Sequence, residues 1–368
     1  MKRNVEIIFY APLGKGICQE KIGGAEAGCL KTIGIYKKAG FIVYNVEKAV
    51  FKGNLISYFF SIMYTYLKLV FFCLIHPKAI VHIVGFYDKV IRIEWLLMKT
   101  ARFLHHKVVY EMRNGGLVRI YKQSNASYQR FQRDLWEQSD GLLCQGEEFV
   151  SFIKKVSNVS AFYYPNYIQD NFLYPYKLDR KFDKELNLVF FGRLVPSKNI
   201  NIIIESAAIV KKIYPQTKLH LIGGISEEYL QEMKMLISKC ALGDNSVFFY
   251  GRKNFEFIVD ILHRSHFFLF PSSERNEGHS NSLTEAMGCG VVPIVSKAGF
   301  NESICGDPAL VVDKINAKLF ADVILNILGN HLWELKSQQQ YNRIMSNFTE
   351  SIVGKRLITY IKSINNKY

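Results

Sequence analysis

Two short segments of this chain bring together side chains that could do chemistry on a charged ligand. The first is Phe190-Phe191-Gly192-Arg193-Leu194-Val195-Pro196-Ser197-Lys198-Asn199. An apolar run ends in Gly192, Arg193 follows at once, and Lys198 comes five positions later, where a helix is expected to begin. Glycine lets the backbone approach a ligand closely. The Arg193 guanidinium offers a fork of donors matched to phosphate oxygens, and Lys198 adds a compact charge. At the carboxyl end of a strand, beside a helix N-terminus, both would favour an anion. The plain alternative is a pair of solvated surface cations.

The second segment is Glu277-Gly278-His279-Ser280-Asn281-Ser282-Leu283-Thr284-Glu285, preceded by Phe267–Phe270 and Pro271-Ser272. Two carboxylates eight residues apart straddle an expected strand-to-helix junction. Gly278 permits a tight turn, and Ser280, Asn281 or Ser282 could cap the helix. Free N–H groups near Leu283 and Thr284 would then face an anion. A carboxylate beside them can accept two charge-assisted hydrogen bonds from the vicinal hydroxyls of a sugar. A competing reading makes Ser282 and Glu285 a capping box; Glu285 cannot readily serve both the box and a ligand.

No metal is expected. The sequence has no Asp-x-Asp, and its nine His form no ligand-spaced cluster with carboxylates. His105-His106 lies just before an expected strand, and neighbours on a chain do not share a face. The charge of a phosphorylated ligand would then fall to Arg193, Lys198 and a helix N-terminus.

These segments need a scaffold, and the chain is long enough to supply one. At about 100–200 residues per domain, 368 residues predict two domains. With 49% hydrophobic and 21% charged residues the composition is globular, and 14% aromatics can fill a sizeable core. Short apolar runs at residues 5–10, 41–46, 79–84, 107–111, 141–144, 188–191, 218–222, 247–250, 267–270 and 291–295 alternate with helical patterns. They lack strict alternation, as parallel strands covered on both faces do. The expected fold is therefore α/β, with two doubly wound sheets. Turn chemistry and charge across residues 163–183 mark a boundary, giving domains at 1–175 and 176–345. The closing helical stretch, from about residue 346 to 368 (apolar at Ile352, Leu357, Ile358 and Ile361), is left open to pack on either domain. Ligands in such sheets bind at the carboxyl ends of the strands, and facing domains would place the site in the cleft between them.

The seven Cys show no C-x-x-C pairing and read as reduced thiols of a cytosolic protein. Lys2-Arg3 resembles the start of a signal peptide. However, Glu6 interrupts the apolar run and Pro12-Leu13-Gly14 ends it, so a first strand is expected there. The charge is strongly basic, 47 Lys and Arg against 32 Asp and Glu, and residues 1–175 hold 23 of the basic and 13 of the acidic ones. That field favours an anionic partner: nucleic acid, a phosphorylated ligand or an acidic membrane face. Leu55–Ile75 approaches the roughly 20 apolar residues of a spanning helix. Its polar members Ser57, Ser61, Thr65 and Lys68 fall in one narrow stripe. A stripe fits a helix packed over most of its girth, or one lying in a membrane interface, better than a spanning one. Basic charge and this helix together give the expectation of a peripheral contact with an anionic membrane at its cytoplasmic face.

The motifs, in order, resemble the retaining glycosyltransferases of GT-B fold often called family 4. Glu277 to Glu285 matches that family's E-x7-E. Gly23-Gly24-Ala25-Glu26 matches its N-terminal glycine loop, and Pro165-Asn166 the segment before its interdomain linker. Gly192-Arg193 with Lys198 matches the diphosphate-binding pair. Ile222-Gly223-Gly224, Phe249-Tyr250-Gly251 and Phe270-Pro271-Ser272 match nucleotide-domain loops, and residues 288–293 the turn after the E-x7-E helix. The resemblance implies two Rossmann-like domains facing across a cleft. It implies that Arg193 and Lys198 hold the donor diphosphate, with Gly192 beside them, that Glu277 binds the transferred sugar, and that Glu285 binds the ribose. It further implies that His279, Ser280, Asn281, Ser282 and Leu283 line the sugar and phosphate pocket, that Gly251 and Arg252 meet the nucleobase, and that Gly23 and Gly24 approach the phosphates from the other domain. Two positions depart from the pattern. Gly299-Phe300-Asn301-Glu302 stands where Gly-Gly-x-x-Glu is usual, and Arg113 stands where many members carry a His. A cation there could contact phosphate, but Arg does not deprotonate and is a poor general base.

The function so implied is transfer of a sugar from a UDP- or GDP-sugar to a glycan or lipid-linked glycan. Configuration is retained, no cofactor or metal takes part, and the setting is synthesis of a bacterial surface polysaccharide. Two other classes compete. A dinucleotide oxidoreductase would need G-x-G-x-x-G after a strand, which neither glycine pair forms. A non-catalytic nucleic-acid or nucleotide binder has the charge but no recognition module, so nucleic acid is not an expected partner.

Overall fold

The computed structural model describes residues 4–14, 24–51, 53–85, 90–170, 176, 185–243 and 245–366. The chain divides into two units, Met1–Asn166 with Glu350–Tyr368, and Tyr167–Thr349. The first unit contains β1 (Glu6–Ala11), α1 (Gly24–Lys38), β2 (Ile42–Glu47), α2 (Leu55–Ile75), β3 (Ile80–Gly85) and α3 (Ile91–Phe103). It continues with β4 (Val108–Met112), α4 (Leu117–Gln123), α5 (Ala126–Glu137), β5 (Gly141–Cys144), α6 (Glu147–Ser157) and β6 (Phe162–Tyr163). The second contains β7 (Leu186–Phe191), α7 (Ile200–Lys211), β8 (Thr217–Ile222), α8 (Glu227–Lys239), β9 (Val247–Phe249), α9 (Phe255–Arg264) and β10 (Phe267–Phe270). After β10 come α10 (Asn281–Gly288), β11 (Val292–Ser296), α11 (Asn301–Cys305), β12 (Val311–Val312), α12 (Ala317–Gly329) and α13 (Trp333–Asn347). The last helix, α14 (Glu350–Asn365), returns to the first unit.

Each unit is built on a parallel sheet of six strands, ordered β2-β1-β3-β4-β5-β6 and β12-β11-β10-β7-β8-β9. The central strands β3, β4, β7 and β10 are buried at every position, which is why their sequences are mostly apolar, with His82, Glu111 and Asn187 as buried polar exceptions. In the second sheet Phe190, Phe268 and Phe270 lie ring against ring across β7 and β10, at centroid distances of 5.6–6.1 Å. Both sheets are doubly wound. The strand order reverses between β1 and β3 in one and between β7 and β10 in the other, and such switch points are where open α/β sheets bind ligands.

The ten expected apolar runs are ten of these strands, with ends shifted by no more than two residues. β6 and β12 were not foreseen; two residues at a sheet edge carry no periodicity to read. The closing helical stretch is two helices, not one. Phe348 and Thr349 leave the helix to pair with Ile168, whose N–H donates to the Phe348 carbonyl at 2.9 Å. Beyond that break, α14 is held in the first unit by the Lys38–Glu350 ion pair at 2.5 Å and by Lys107 donating to the Ile364 carbonyl. The six described cysteines are all free, five of them buried.

Helix α2 departs from a helix packed over most of its girth. Thr65, Leu69 and Cys73 are its buried positions, and Thr65 Oγ1 donates to the Ser61 carbonyl at 2.8 Å. Thr65, from the polar stripe, therefore faces the protein. Much of the apolar surface faces out.

Candidate active site

The two chemically suggestive segments lie at the carboxyl ends of β7 and β10, which are hydrogen-bonded neighbours at the switch point of the second sheet. Hydrogen bonds stitch the loops together. Ser273 N–H donates to the Ser197 carbonyl at 2.8 Å, Ser197 Oγ to Glu274 at 2.8 Å, and Asn199 Nδ2 to the Pro271 carbonyl at 2.7 Å. Asn199 can do this because it adopts the left-handed conformation (φ 51°), which ends the short turn Pro196–Lys198 just before α7.

At their meeting point Lys198 forms an ion pair with Glu277. Ser272 joins both, its Oγ accepting from Lys198 Nζ at 3.3 Å and donating to Glu277 Oε2 at 2.6 Å. The Lys198 ammonium also lies 5.2 Å from the centre of the Phe270 ring. Both charged side chains are largely buried, at 10% and 12% exposure. An ammonium has three donors, and the two bonds to Glu277 and Ser272 leave a third direction for a ligand. Gly299 holds Glu277 from behind: its φ is +55°, and a Cβ there would stand 2.1 Å from the Glu277 carbonyl oxygen. Ser272 and Gly299 carry no place in the sequence-derived site. The matched Phe270-Pro271-Ser272 loop at the end of an apolar strand was the available signal for the first, and the Gly299 turn for the second.

The N-terminus of α10 opens on the same loop. Ser280 is its cap, accepting from Leu283 N–H at 3.3 Å and lying 3.1 Å from Ser282 Oγ. Ser282 is thus inside the helix, and the Ser282–Glu285 capping box is not formed. Glu285 sits half-buried in the body of α10, with Leu283 and Thr284 buried ahead of it and Asn281 and Ser282 half-buried. His279 is buried, its ring edge-on to Phe348 at 5.1 Å.

Glycine turns close β7, β8 and β9 side by side. Gly192 N–H donates to the Ile222 carbonyl at 3.0 Å and Gly223 N–H to the Gly251 carbonyl at 2.8 Å. All three have positive φ (139°, 151° and 66°), and a Cβ on Gly223 would stand 1.7 Å from the Gly192 carbonyl oxygen. Only glycine lets these backbones approach so closely. Arg193 is exposed on the first turn, and Arg252, exposed on the third, borders Gly224.

Gly24 and Arg113 belong to the first unit, and Gly23 lies outside the described residues. Gly24 is the exposed first residue of α1. Arg113 follows β4 and is 8% exposed. Its Nε pairs with Glu111 at 2.5 Å, its guanidinium donates to Thr32 Oγ1 at 2.8 Å, and it lies 5.8 Å from the Tyr164 ring. Glu111 pairs in turn with His82 at 3.0 Å, and His82 with the Tyr36 hydroxyl at 2.8 Å. Burial alone would raise the Glu111 carboxyl; Arg113 and His82 outweigh it and hold the group below the usual carboxylate range. The sequence reading missed this network, because Glu111 and His82 sit on strands whose other residues are apolar. No group of three or more His, Cys, Asp or Glu is placed to hold a metal among the described residues.

Comparison with known proteins bears on the same half of the chain. Residues 178–345 match the family model of glycosyl transferases group 1. That stretch falls within the second unit and contains both of the chemically suggestive segments, 190–199 and 277–285. An uncharacterised glycosyltransferase of Methanocaldococcus jannaschii, MJ1069, is 27% identical over 181 residues. The alignment takes in 47% of this chain and 44% of that protein, so less than half of the relative's length is matched. Solved structures resemble the chain over nearly all of both lengths. A glycosyltransferase of Rickettsia africae has a TM-score of 0.76 at 14% identity, covering 99% of this chain and 100% of its own. Anabaena HepE in complex with UDP has a TM-score of 0.75 at 15% identity, covering 98% and 100%. Sucrose-phosphate synthase of Thermosynechococcus elongatus has 0.71 at 17% identity, covering 98% and 99%. The fold they share with this chain is GT-B, two Rossmann-like domains.

Proposed function

We propose that the chain is a retaining glycosyltransferase, moving a sugar from a nucleotide diphosphate sugar to a hydroxyl of a glycan or lipid-linked glycan in bacterial surface polysaccharide synthesis. The observation that carries this reading is the Lys198–Glu277 pair at the switch point of the second sheet. Arg193 stands on one strand end and the open N-terminus of α10 on the other. As the bond from the sugar's anomeric carbon to the leaving oxygen breaks, negative charge grows on the diphosphate. Arg193, the third Lys198 donor and the N–H groups of α10 would meet it with fixed positive charge and dipoles. This set supplies the charge that a divalent cation supplies elsewhere, so the transfer is proposed to need none.

Glu277, oriented by Lys198 and Ser272, accepts hydrogen bonds from hydroxyls of the transferred sugar, and Glu285 from the ribose. Retention in glycosidases commonly uses a protein nucleophile. In the route proposed here the leaving phosphate takes the acceptor's proton on the same face of the sugar, and no such nucleophile is required. A uridine nucleotide is the first donor to try, since HepE structures hold UDP and UDP-glucose. The test is a screen of nucleotide sugars for hydrolysis or transfer in the presence of EDTA, with the anomeric configuration of the product read by NMR. Turnover with an inverted product would refute retention. Turnover that requires Mg²⁺ would refute metal independence.

A further inference from the structure

We propose that the outward face of α2 is a docking surface that seats the first unit on an anionic lipid bilayer. The helix is 21 residues long and apolar enough by length and composition to cross a membrane, yet only Thr65, Leu69 and Cys73 among its residues are buried. Leu55, Ile56, Phe59, Phe60, Met63, Tyr64, Leu67, Phe71, Leu74 and Ile75 are each 43–75% exposed. They recur every three or four residues, so they form one continuous apolar ridge about 30 Å long. With aromatic side chains of about 150–250 Å² each, the exposed area is on the order of 1,000 Å², above the roughly 300–600 Å² of an ordinary largest surface patch. Val50 and Phe51 extend the apolar surface before the helix, Phe51 lying edge-on to Tyr58 at 5.6 Å.

The amphipathicity is inverted. Thr65 turns inward, bonded to the Ser61 carbonyl and near that of Glu47, while Leu69 and Cys73 anchor the inner side. A spanning arrangement would break these contacts, so the helix lies flat on its unit with its apolar side outward. Charge selects the partner. The first unit holds 27 Lys and Arg against 13 Asp and Glu, net +14, and the second 20 against 19, net +1. Almost the whole basic excess therefore belongs to the unit that carries the ridge. α3, which packs against α2 through the Tyr66–Thr100 bond, adds exposed Leu96 and Phe103 to the apolar residues and exposed Arg92 to the basic ones. An apolar ridge on a basic unit fits acyl chains beneath anionic headgroups, which ask for burial and positive charge rather than a shaped groove.

The experiment is flotation of the full chain with vesicles of phosphatidylcholine alone or with about 30% phosphatidylglycerol, at roughly 0.05 and 0.5 M salt. The wild type is expected to float with the anionic vesicles at low salt and about fivefold less at high salt. Phe60→Ser/Leu67→Ser is expected to cut the bound fraction about tenfold or more. Its melting temperature should not change, because both side chains face solvent. If that variant proves unstable, Leu55→Ser/Ile56→Ser in the first turn, far from the anchored residues, serves the same purpose. A wild type that stays unbound with both vesicles at low salt overturns the proposal. So does a lipid-free dimer that the double variant converts to monomer without any flotation, because the ridge would then bind a second copy.

Discussion

Removing one partner of the Lys198–Glu277 pair should cost more than removing both. Breaking a fully buried ion pair costs about 3–5 kcal/mol, whereas an exposed pair is worth less than about 1 kcal/mol. With side chains 10% and 12% exposed, the pair lies close to the buried limit but retains some contact with solvent, so Lys198→Met should cost about 2–3 kcal/mol. Methionine keeps most of the stem beside Phe270 and leaves Glu277 with Ser272 as its remaining recorded partner. For a unit the size of Tyr167–Thr349, about 2–4 °C per kcal/mol, the melting temperature should fall by about 5–10 °C. Glu277→Gln should lose a similar amount. Lys198→Met/Glu277→Gln, with no orphaned charge, should lose only about 1–2 kcal/mol, about 3 kcal/mol less than the sum of the single losses. The four proteins are compared by thermal unfolding at pH 7, with nucleotide affinity measured alongside. The double variant should regain stability but not affinity. Strictly additive losses, or single variants within about 0.5 kcal/mol of wild type, would refute the reasoning.

Gly299→Ala meets both a positive φ and the Glu277 carbonyl, so turnover should fall at least about tenfold, with a stability loss of about 1–3 kcal/mol; wild-type turnover would count against Gly299 as the support of Glu277. Ser280→Ala should cost about 1 kcal/mol as a lost helix cap, whereas Glu285→Ala should weaken nucleotide binding about tenfold with little change in melting temperature. A Glu285→Ala variant that melts several degrees lower yet binds normally would reverse that assignment. His220, between Tyr250 and Asn187 in the second sheet, has its pKa lowered to about 4, first by burial and then by Arg264. Its folded value lies below the unfolded one of about 6.5, so the stability it contributes is complete above pH 6.5 and lost as pH falls towards 4. Over that window the wild type should lose about 3 kcal/mol more than His220→Gln, measured by denaturant melts at several pH values.

The sheets were legible because parallel strands covered on both faces are mostly apolar, and ten such runs stand out from amphipathic helices. The edge strands β6 and β12 were not, since two residues have no period. Lys198 and Glu277 were each visible from residue type and loop position. That they would meet required knowing that β10 pairs with β7 rather than with β9, a property of strand order that no local pattern encodes. The cap of α10 was narrowed to three residues, and only backbone geometry chose Ser280 over Ser282. The resemblance placed Arg113 near a ligand, but its carboxylate partner Glu111 stands two residues earlier, inside β4, and reads as an interior strand position. For α2 the narrow polar stripe was seen, while the face it would turn to the protein was not. Apolar periodicity gives the width of a face and says nothing of what covers it.

The switch-point loops of the second unit are proposed to hold a nucleoside diphosphate through fixed cationic side chains. Calorimetric titration of UDP and GDP into the full chain in EDTA tests it most directly. Micromolar binding of at least one of them is predicted, weakened about tenfold or more in Arg193→Ala and in Lys198→Met. Binding that appears only when Mg²⁺ is restored, or that both variants leave unchanged, would contradict it.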